Sequence, residues 1–324
     1  MKTIHEAART VPVIAETDVL VIGSGPAGLA AALAAARCGV ETMIVERFGS
    51  FGGNITQSQV ETIAWYRTEG TVESDGIGME FERRHREIGS PNREYYSLGE
   101  MLDADMFKYI ADVMVQEAGI TPLLHCYAVE AILEGSAITG VITESKSGRR
   151  AILARQIIDA TGDADIAHFC GAPYRLDPKD QLMSATMSFG CSGVDRKRFY
   201  EYVEAHPKYI TDWARETSGK ESGIKTPYLS DPFEIAKSEG KIPKDIWVEA
   251  FWHSVNDYGE ATHINACRVK GIDSTDVHDL TRAEIEGRQH CMWILDALKK
   301  STPGFENAKL RSFGSSVGAR ESRK

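Results

Sequence analysis

Thr17-Asp-Val-Leu-Val-Ile-Gly-Ser-Gly-Pro-Ala-Gly-Leu-Ala-Ala-Ala-Leu-Ala-Ala-Ala-Arg37 is the stretch whose reading decides the fold. Thr17–Ile22 is a short β-branched apolar run, the pattern of a buried strand. The turn Gly23-Ser-Gly-Pro-Ala-Gly28 follows at once, and the alanine-rich Leu29–Arg37 has high helix propensity. Gly39 stands where a helix C-terminus favours glycine, and Glu41–Val45 reads as a second strand ending on Glu46. A G-x-G-x-x-G run alone is weak; here it has a strand before it, a helix after it, and an acid eighteen residues beyond Gly28. Each glycine has a physical task. Gly23 permits the tight turn, Gly25 lets a diphosphate approach the backbone, and Gly28 lets helix and strand pack closely. Pro26 and Ala27 open the helix, whose free N–H groups and positive dipole end favour phosphate. Glu46 can accept both hydroxyls of an adenosine ribose and disfavours a 2′-phosphate. These residues indicate an adenine dinucleotide and leave FAD and NAD undistinguished.

Outward from this element, Asp103–Ala118 reads as a helix, followed by short strands near 121–124, 127–133, 137–144 and 150–154 with turns at Glu134-Gly135 and Ser147-Gly148, a β-meander. Gln156–Asp159 returns as a strand into Ala160-Thr-Gly-Asp163. Residues 50–100 carry no strong period and read as an excursion from the sheet. Beyond 171 the pattern predicts a strand over Met183–Cys191, a helix over Asp195–Ala205, a polar cap segment over 206–245, and strands at Trp247–Trp252 and Ala261–Asn265. A long helix is expected from Thr281, with Thr281 and Glu284 as a capping box and Leu280, Ala283, Gly287, Cys291, Ile294, Leu295 and Leu298 on one apolar face. Residues 1–16 read as a polar arm. The division expected is 1–170, 171–304, and a return segment 305–324.

The 324 residues are 42% hydrophobic and 26% charged, with a net charge of −10, which disfavours nucleic-acid backbones and anionic membrane surfaces as partners. No apolar run has the length of a membrane span, and no secretory leader pattern opens the chain. The six cysteines form no C-x-x-C pair, so neither a metal site nor a disulfide scaffold is expected, and the default compartment is a reducing cytoplasm.

Several further segments carry a family resemblance. Phe51-Gly-Gly-Asn-Ile-Thr56, Leu124-His-Cys-Tyr-Ala-Val129, Ile157-Ile-Asp-Ala-Thr-Gly-Asp-Ala-Asp165, His263-Ile-Asn265, Arg268-Val-Lys-Gly-Ile-Asp273, Asp279–Arg288 and Gly318-Ala-Arg-Glu-Ser-Arg323 resemble motifs of the FAD-dependent oxidoreductases related to glutathione reductase and fumarate reductase. The likeness runs over about residues 15–323 and is weak at 200–245. It implies an α/β architecture: a Rossmann-like FAD-binding domain with a β-meander, plus an inserted α+β substrate domain. It implies FAD as cofactor, with Arg47 beside Glu46, with Gly52, Gly53, Asn54 and Thr56 at the flavin phosphates, with Ala128 and Val129 at the adenine, and with Ala160, Thr161, Gly162 and Asp163 at the second flavin motif. Asp163 can also cap the next helix.

Absences refine the expectation. Phe51–Gln59 holds no cysteine pair, against disulfide exchange, and no second glycine fingerprint follows a strand, against a separate nicotinamide domain; Asp75-Gly-Ile-Gly-Met79 lacks that context. With no His or Cys in Gly53–Thr56, the FAD is expected to be non-covalent. Candidate catalytic residues are His263 and Asn265, which alternate onto one strand face, with Arg268 and the weaker Arg320. A histidine relays protons near neutral pH and an arginine fixes a carboxylate. Trp65, Tyr66, Tyr95 and Tyr96 are read as packing residues. The expected function is hydride transfer between a small organic substrate and flavin N5, with an external electron donor or acceptor. The alternatives are a non-redox flavoprotein (hydratase or isomerase) and a flavin-binding subunit of a larger redox complex. The family continues beyond the Gly318–Arg323 motif, so the expectation is a truncated form with an under-covered flavin ring.

Overall fold

The computed structural model describes residues 2–61, 67–68, 72–73, 75–89, 92–93, 100–205, 209–212, 222–225, 227–248 and 255–324. Trp65, Tyr66, Tyr95, Tyr96 and residues 249–252 of the expected strand at Trp247–Trp252 lie outside them. The main elements run β1 (Val13–Ile22), α1 (Pro26–Arg37), β2 (Thr42–Val45), α2 (Asn54–Gln57), α3 (Ile77–Glu87), α4 (Ala104–Glu117), β3 (Thr121–Leu123), β4 (Tyr127–Glu134), β5 (Ala137–Ser145) and β6 (Gly148–Asp159). They continue with α5 (Asp165–Phe169), β7 (Phe189–Ser192), α6 (Arg196–Glu204), α7 (Pro227–Ser238), β8 (Ala261–Ile264), α8 (Val277–Ser301) and β9 (Lys309–Phe313). The chain divides into two compact units, one of residues 1–51 and 113–174, the other of residues 52–112 and 175–324.

The first unit is built on a six-stranded sheet in the order β3-β2-β1-β6-β5-β4. β1 pairs in parallel with β2 and β6, and β2 with β3; the remaining pairs are antiparallel. Leu20, Val21, Met43, Ile44 and Val45 are all buried, as strands covered on both faces require. α1 seals one face with Leu29 and Leu33, each fully buried and worth about 2 kcal/mol of apolar transfer. It stops at Cys38, with Gly39 at φ 83° accepting the left-handed turn expected there.

Two strand readings change in this unit. The expected strands 150–154 and 156–159 are one twelve-residue strand, β6, which pairs antiparallel with β5 from Gly148 to Leu153 and parallel with β1 from Ala151 to Asp159. The segment near 121–124 is no part of the meander; β3 is the parallel edge strand beside β2. Periodicity marks a strand but not its partner, which is why both were misassigned. The arm is also shorter than read, since β1 begins at Val13 with a bulge between Val13 and Ala15.

The second unit packs α8 against a three-stranded sheet in the order β8-β7-β9. The apolar face read for α8 is the buried one: Ala283, Gly287, Cys291, Ile294, Leu295 and Leu298 face the core. Its start is corrected. The helix begins at Val277, capped by Asp276 accepting from His278 N at 2.8 Å, so Thr281 and Glu284 form no capping box. Thr281 Oγ1 instead donates to Val277 O, and Glu284 accepts from Val317 N and Arg288. The strand expected over Met183–Cys191 is confined to β7, with only isolated bridges at Ala185 and Thr186. Two helices arise where no period was read: α3 follows Asp75-Gly76, and α7 lies in the segment read as a polar cap.

Candidate functional site

Ile22, Val45 and Asp159 stand level at the C-terminal ends of β1, β2 and β6, so the segments that follow them emerge together. This is the end of an open α/β sheet where ligands bind. Backbone bonds fix the three exits: Gly23 N donates to Val45 O, Ala160 N to Ile22 O, and Glu46 N to Leu123 O, each at 2.8 Å. Gly23 lies at φ 93°, and a Cβ on it would sit 2.3 Å from Ala160 O. A Cβ on Gly28 would sit 2.0 Å from Gly23 O. Gly25 differs: a Cβ there meets nothing within 4 Å, so this glycine faces open space. Gly25 is also the N-cap of α1, with no side-chain cap, Pro26 next, and no acidic residue in the first turn. The result is a cradle with room above it and uncapped helix donors at its floor, the arrangement a diphosphate fits.

Glu46 is buried and already committed in part. Its Oε2 accepts from Ser24 N at 2.9 Å and Ser24 Oγ at 2.5 Å, and its Oε1 accepts from Phe48 N at 2.8 Å. A carboxylate offers about four acceptor sites, leaving roughly one on Oε1. The neighbouring Arg47 is exposed, its guanidinium 4.8 Å from the Phe48 ring centre. Cys126 N donates to Glu46 O and His125 N to Phe48 O, which draws the start of β4, with Ala128 buried and Val129 half-buried, beside the acid. An open groove of about 590 Å³ is lined there by Leu124, His125, Cys126, Thr143, Lys146 and Arg150 among others. In the Ala160–Asp163 turn Gly162 takes φ 85° and a Cβ there would meet nothing within 4 Å. The expected Asp163 cap is corrected: the N-cap of α5 is Ala164, left-handed and without a side-chain cap. Asp159 and Thr161 serve that turn instead, Asp159 Oδ2 accepting from Ala167 N and Thr161 Oγ1 from Asp165 N.

In the second unit Gly52 and Gly53 both take positive φ, 111° and 52°, on the approach to the four-residue α2, which holds Asn54 and Thr56. A Cβ on Gly52 would lie 2.4 Å from Thr56 Cγ2, so the turn is closed to larger residues. Two of the four candidate catalytic residues, Arg268 and Arg320, meet on one hydroxyl. Thr186 exchanges backbone bonds with Gly318, and Ala185 with Val269, so one short segment carries Arg320 on one side and Arg268 on the other. Arg268 Nη1 and Arg320 Nη2 both donate to Thr186 Oγ1, at 3.1 and 3.2 Å. Arg268 is buried and also donates to Asn265 Oδ1; Arg320 is exposed.

His263 is buried on β8, its Nδ1 against the backbone carbonyl of Gln59. Burial first, and then the nearby Arg268 charge, hold its pKa down to about 4, against the opposing pull of the Gln59 bond. The next residue back along the strand, Thr262, donates from Oγ1 to Glu61 Oε2 at 2.6 Å, and Glu61 Oε1 accepts from Ala104 N at 3.0 Å. Complete burial pushes the Glu61 carboxyl up to about 8. Thr186, Gln59 and Glu61 were not singled out from the sequence. Thr186 alternates with Ser184 and Ser188 against Met183, Ala185, Met187 and Phe189, a pattern that reads as a polar outward face, yet the structure buries all three; Gln59 and Glu61 carry no local signal. Among the described residues no helix is long and apolar enough to cross a membrane, and no group of three His, Cys, Asp or Glu side chains is placed to hold a metal ion.

Comparison with known proteins matches residues 18–324 to the family model of FAD dependent oxidoreductases. The chain is 33% identical over 168 residues to digeranylgeranylglycerophospholipid reductase 1 of Methanopyrus kandleri, covering 50% of this chain and 44% of that protein. It is 31% identical over 175 residues to a thiamine thiazole synthase of Methanococcus maripaludis, covering 48% of this chain and 60% of that one. The chain thus spans about half the length of the curated relatives it matches. In fold it is similar to a geranylgeranyl bacteriochlorophyll reductase-like protein from Thermoplasma acidophilum, with a TM-score of 0.56 and 15% identity over 94% of this chain and 66% of that one. It is also similar to the myxobacterial chondrochloren halogenase, with a TM-score of 0.57 and 12% identity over 95% and 64% of the two chains. The strand–turn–helix cradle suits the diphosphate of FAD, the cofactor that the matching family model names, and the chain belongs to the FAD-dependent oxidoreductase family.

Proposed function

We propose that this protein catalyses hydride transfer between a small organic anion and FAD. The reading is carried by one observation: two guanidinium groups, Arg268 and Arg320, meet on the Thr186 hydroxyl in the unit that also holds His263 and Asn265. FAD supplies the hydride chemistry at its N5 when bound. The cradle Gly23–Gly28, with Glu46, Arg47, Ala128 and Val129, holds the adenosine diphosphate part; Ala160–Asp163 and Gly52, Gly53, Asn54 and Thr56 serve the flavin part. Arg268 and Arg320 bind the anionic group of the substrate, Arg268 being preset by Asn265 and Thr186 before substrate arrives. Neutral His263 takes up the proton that accompanies hydride loss from the substrate, or returns it in the reverse direction. Electrons enter or leave through an external carrier, the 171–304 region provides the substrate-facing part, and the setting is cytoplasmic.

The experiment is to identify the released cofactor, then screen anaerobic bleaching of the flavin with NADH, NADPH and a panel of carboxylates and phosphorylated alcohols. Bleaching by an anionic substrate and not by its neutral ester or alcohol supports the reading. Turnover of a substrate with no flavin bleaching refutes hydride transfer and leaves the non-redox alternative.

A further inference from the structure

The strap Gln57–Glu61 is gripped along its length. Ser316 N donates to Gln57 O at 3.1 Å, Leu102 N to Glu61 O at 2.9 Å, and Gly314 approaches so closely that a Cβ on it would lie 3.1 Å from Gln57 O. In the middle stands Gln59, a non-glycine residue in the left-handed region at φ 51°. Such a conformation is unfavourable for a residue with a Cβ and persists only where the surroundings impose it. What imposes it is visible: Gln59 Nε2 donates to Ser312 Oγ on β9 at 2.9 Å, anchoring the side chain while the backbone carbonyl turns to His263 Nδ1.

We infer that Gln59 is a positioning residue that holds His263 as its Nδ1-protonated tautomer, leaving Nε2 as the lone-pair nitrogen. A backbone carbonyl only accepts, so the ring nitrogen facing it carries the hydrogen. Among the described residues Nε2 has no hydrogen-bond partner. Glycine at 59 would adopt the same φ at no cost but would lose the anchor on Ser312; an asparagine would be too short to keep it. The inference deepens the reading of His263 as the proton-handling group and depends on it for catalytic meaning, while the tautomer itself is measurable without turnover.

The test uses flavin-loaded protein labelled with ¹⁵N-histidine and two-bond proton–nitrogen correlation, which reports the tautomer of each of the nine histidines. The His263→Asn variant assigns the His263 pattern. In the wild type it is Nδ1-protonated and unchanged between pH 5 and 8. In Gln59→Gly and in Ser312→Ala the Nε2-protonated fraction rises at least about tenfold. Ser312→Ala leaves the strap backbone untouched and carries the test if the glycine variant fails to fold. A wild-type pattern in both variants, or an Nε2-protonated His263 in the wild type, overturns the inference. Unchanged turnover in His263→Asn would instead refute the functional reading, whatever the tautomer data give.

Discussion

Glu61 offers a perturbation whose size follows from the structure. Its carboxyl is enclosed, with Thr262 Oγ1 at Oε2 and Ala104 N at Oε1, and burial raises its pKa from 4.5 to about 8. At 1.36 kcal/mol per decade, ionising it inside the fold costs about 5 kcal/mol more than in the unfolded chain. Between pH 4.5 and 8 the native state therefore binds more protons than the unfolded state, so stability falls as pH rises through that window. His263 acts in the opposite sense. Its pKa is lowered from 6.5 to about 4, so its contribution is complete above 6.5 and is lost as pH falls toward 4. The two slopes oppose each other between about 4.5 and 6.5, and only the difference between wild type and Glu61→Gln isolates the carboxyl. Glutamine keeps a neutral group of the protonated acid's shape: its oxygen accepts from Ala104 N, and its amide donates to Thr262 Oγ1, whose hydroxyl turns from donor to acceptor. Urea unfolding followed by tryptophan fluorescence at half-unit steps from pH 5 to 7.5 is the assay. Wild-type stability relative to Glu61→Gln should decline by about 3 kcal/mol across that range, with the variant the more stable at the alkaline end. Parallel curves would show that Glu61 is ionised in the native protein and would refute the reasoning.

Four other outcomes are expected. Gly23→Ala forces a positive φ on a residue with a Cβ and sets that atom 2.3 Å from Ala160 O, so it should lose at least about 2 kcal/mol of stability and most bound flavin, read as flavin absorbance per protein. Gly287→Ala drives a methyl to 2.8 Å from Met187 Cβ at the α8 contact and should cost about 1–3 kcal/mol in chemical denaturation with flavin content preserved. Arg268→Lys keeps the charge but loses the guanidinium whose Nη1 reaches both Asn265 and Thr186; KM for an anionic substrate should rise about tenfold or more, and an equal rise for a neutral analogue would contradict anion binding. The pH profile of kcat/KM should show no His263 limb near 6.5, because that group titrates near 4 in the free enzyme.

The nucleotide element was legible because its constraints are local. Strand, turn, helix and acid follow one another within thirty residues, and each glycine answers a clash or opening created by its immediate neighbours in the fold. The apolar face of α8 was legible for the same reason, since a helical period writes packing into spacing. Its start was not, because a T-x-x-E pattern inside a helix looks the same as one at its end, and the decision fell to Asp276. The single strand β6 was read as two, since only its two different partners reveal that it serves both sheet halves.

His263, Asn265, Arg268 and Arg320 could be named from sequence motifs, but not what joins them. Thr186, which receives both arginines, is separated from Arg320 by more than a hundred residues of chain. Gln59 and Glu61 lie about two hundred residues from the strand they hold. By itself the sequence determined the dinucleotide cradle, because helix propensity, glycine conformation and residue spacing act over short range. Only tertiary structure decided the protonation of His263 and Glu61 and the meeting of two arginines on one hydroxyl, because desolvation and convergence belong to a packed interior that no local stretch of chain creates.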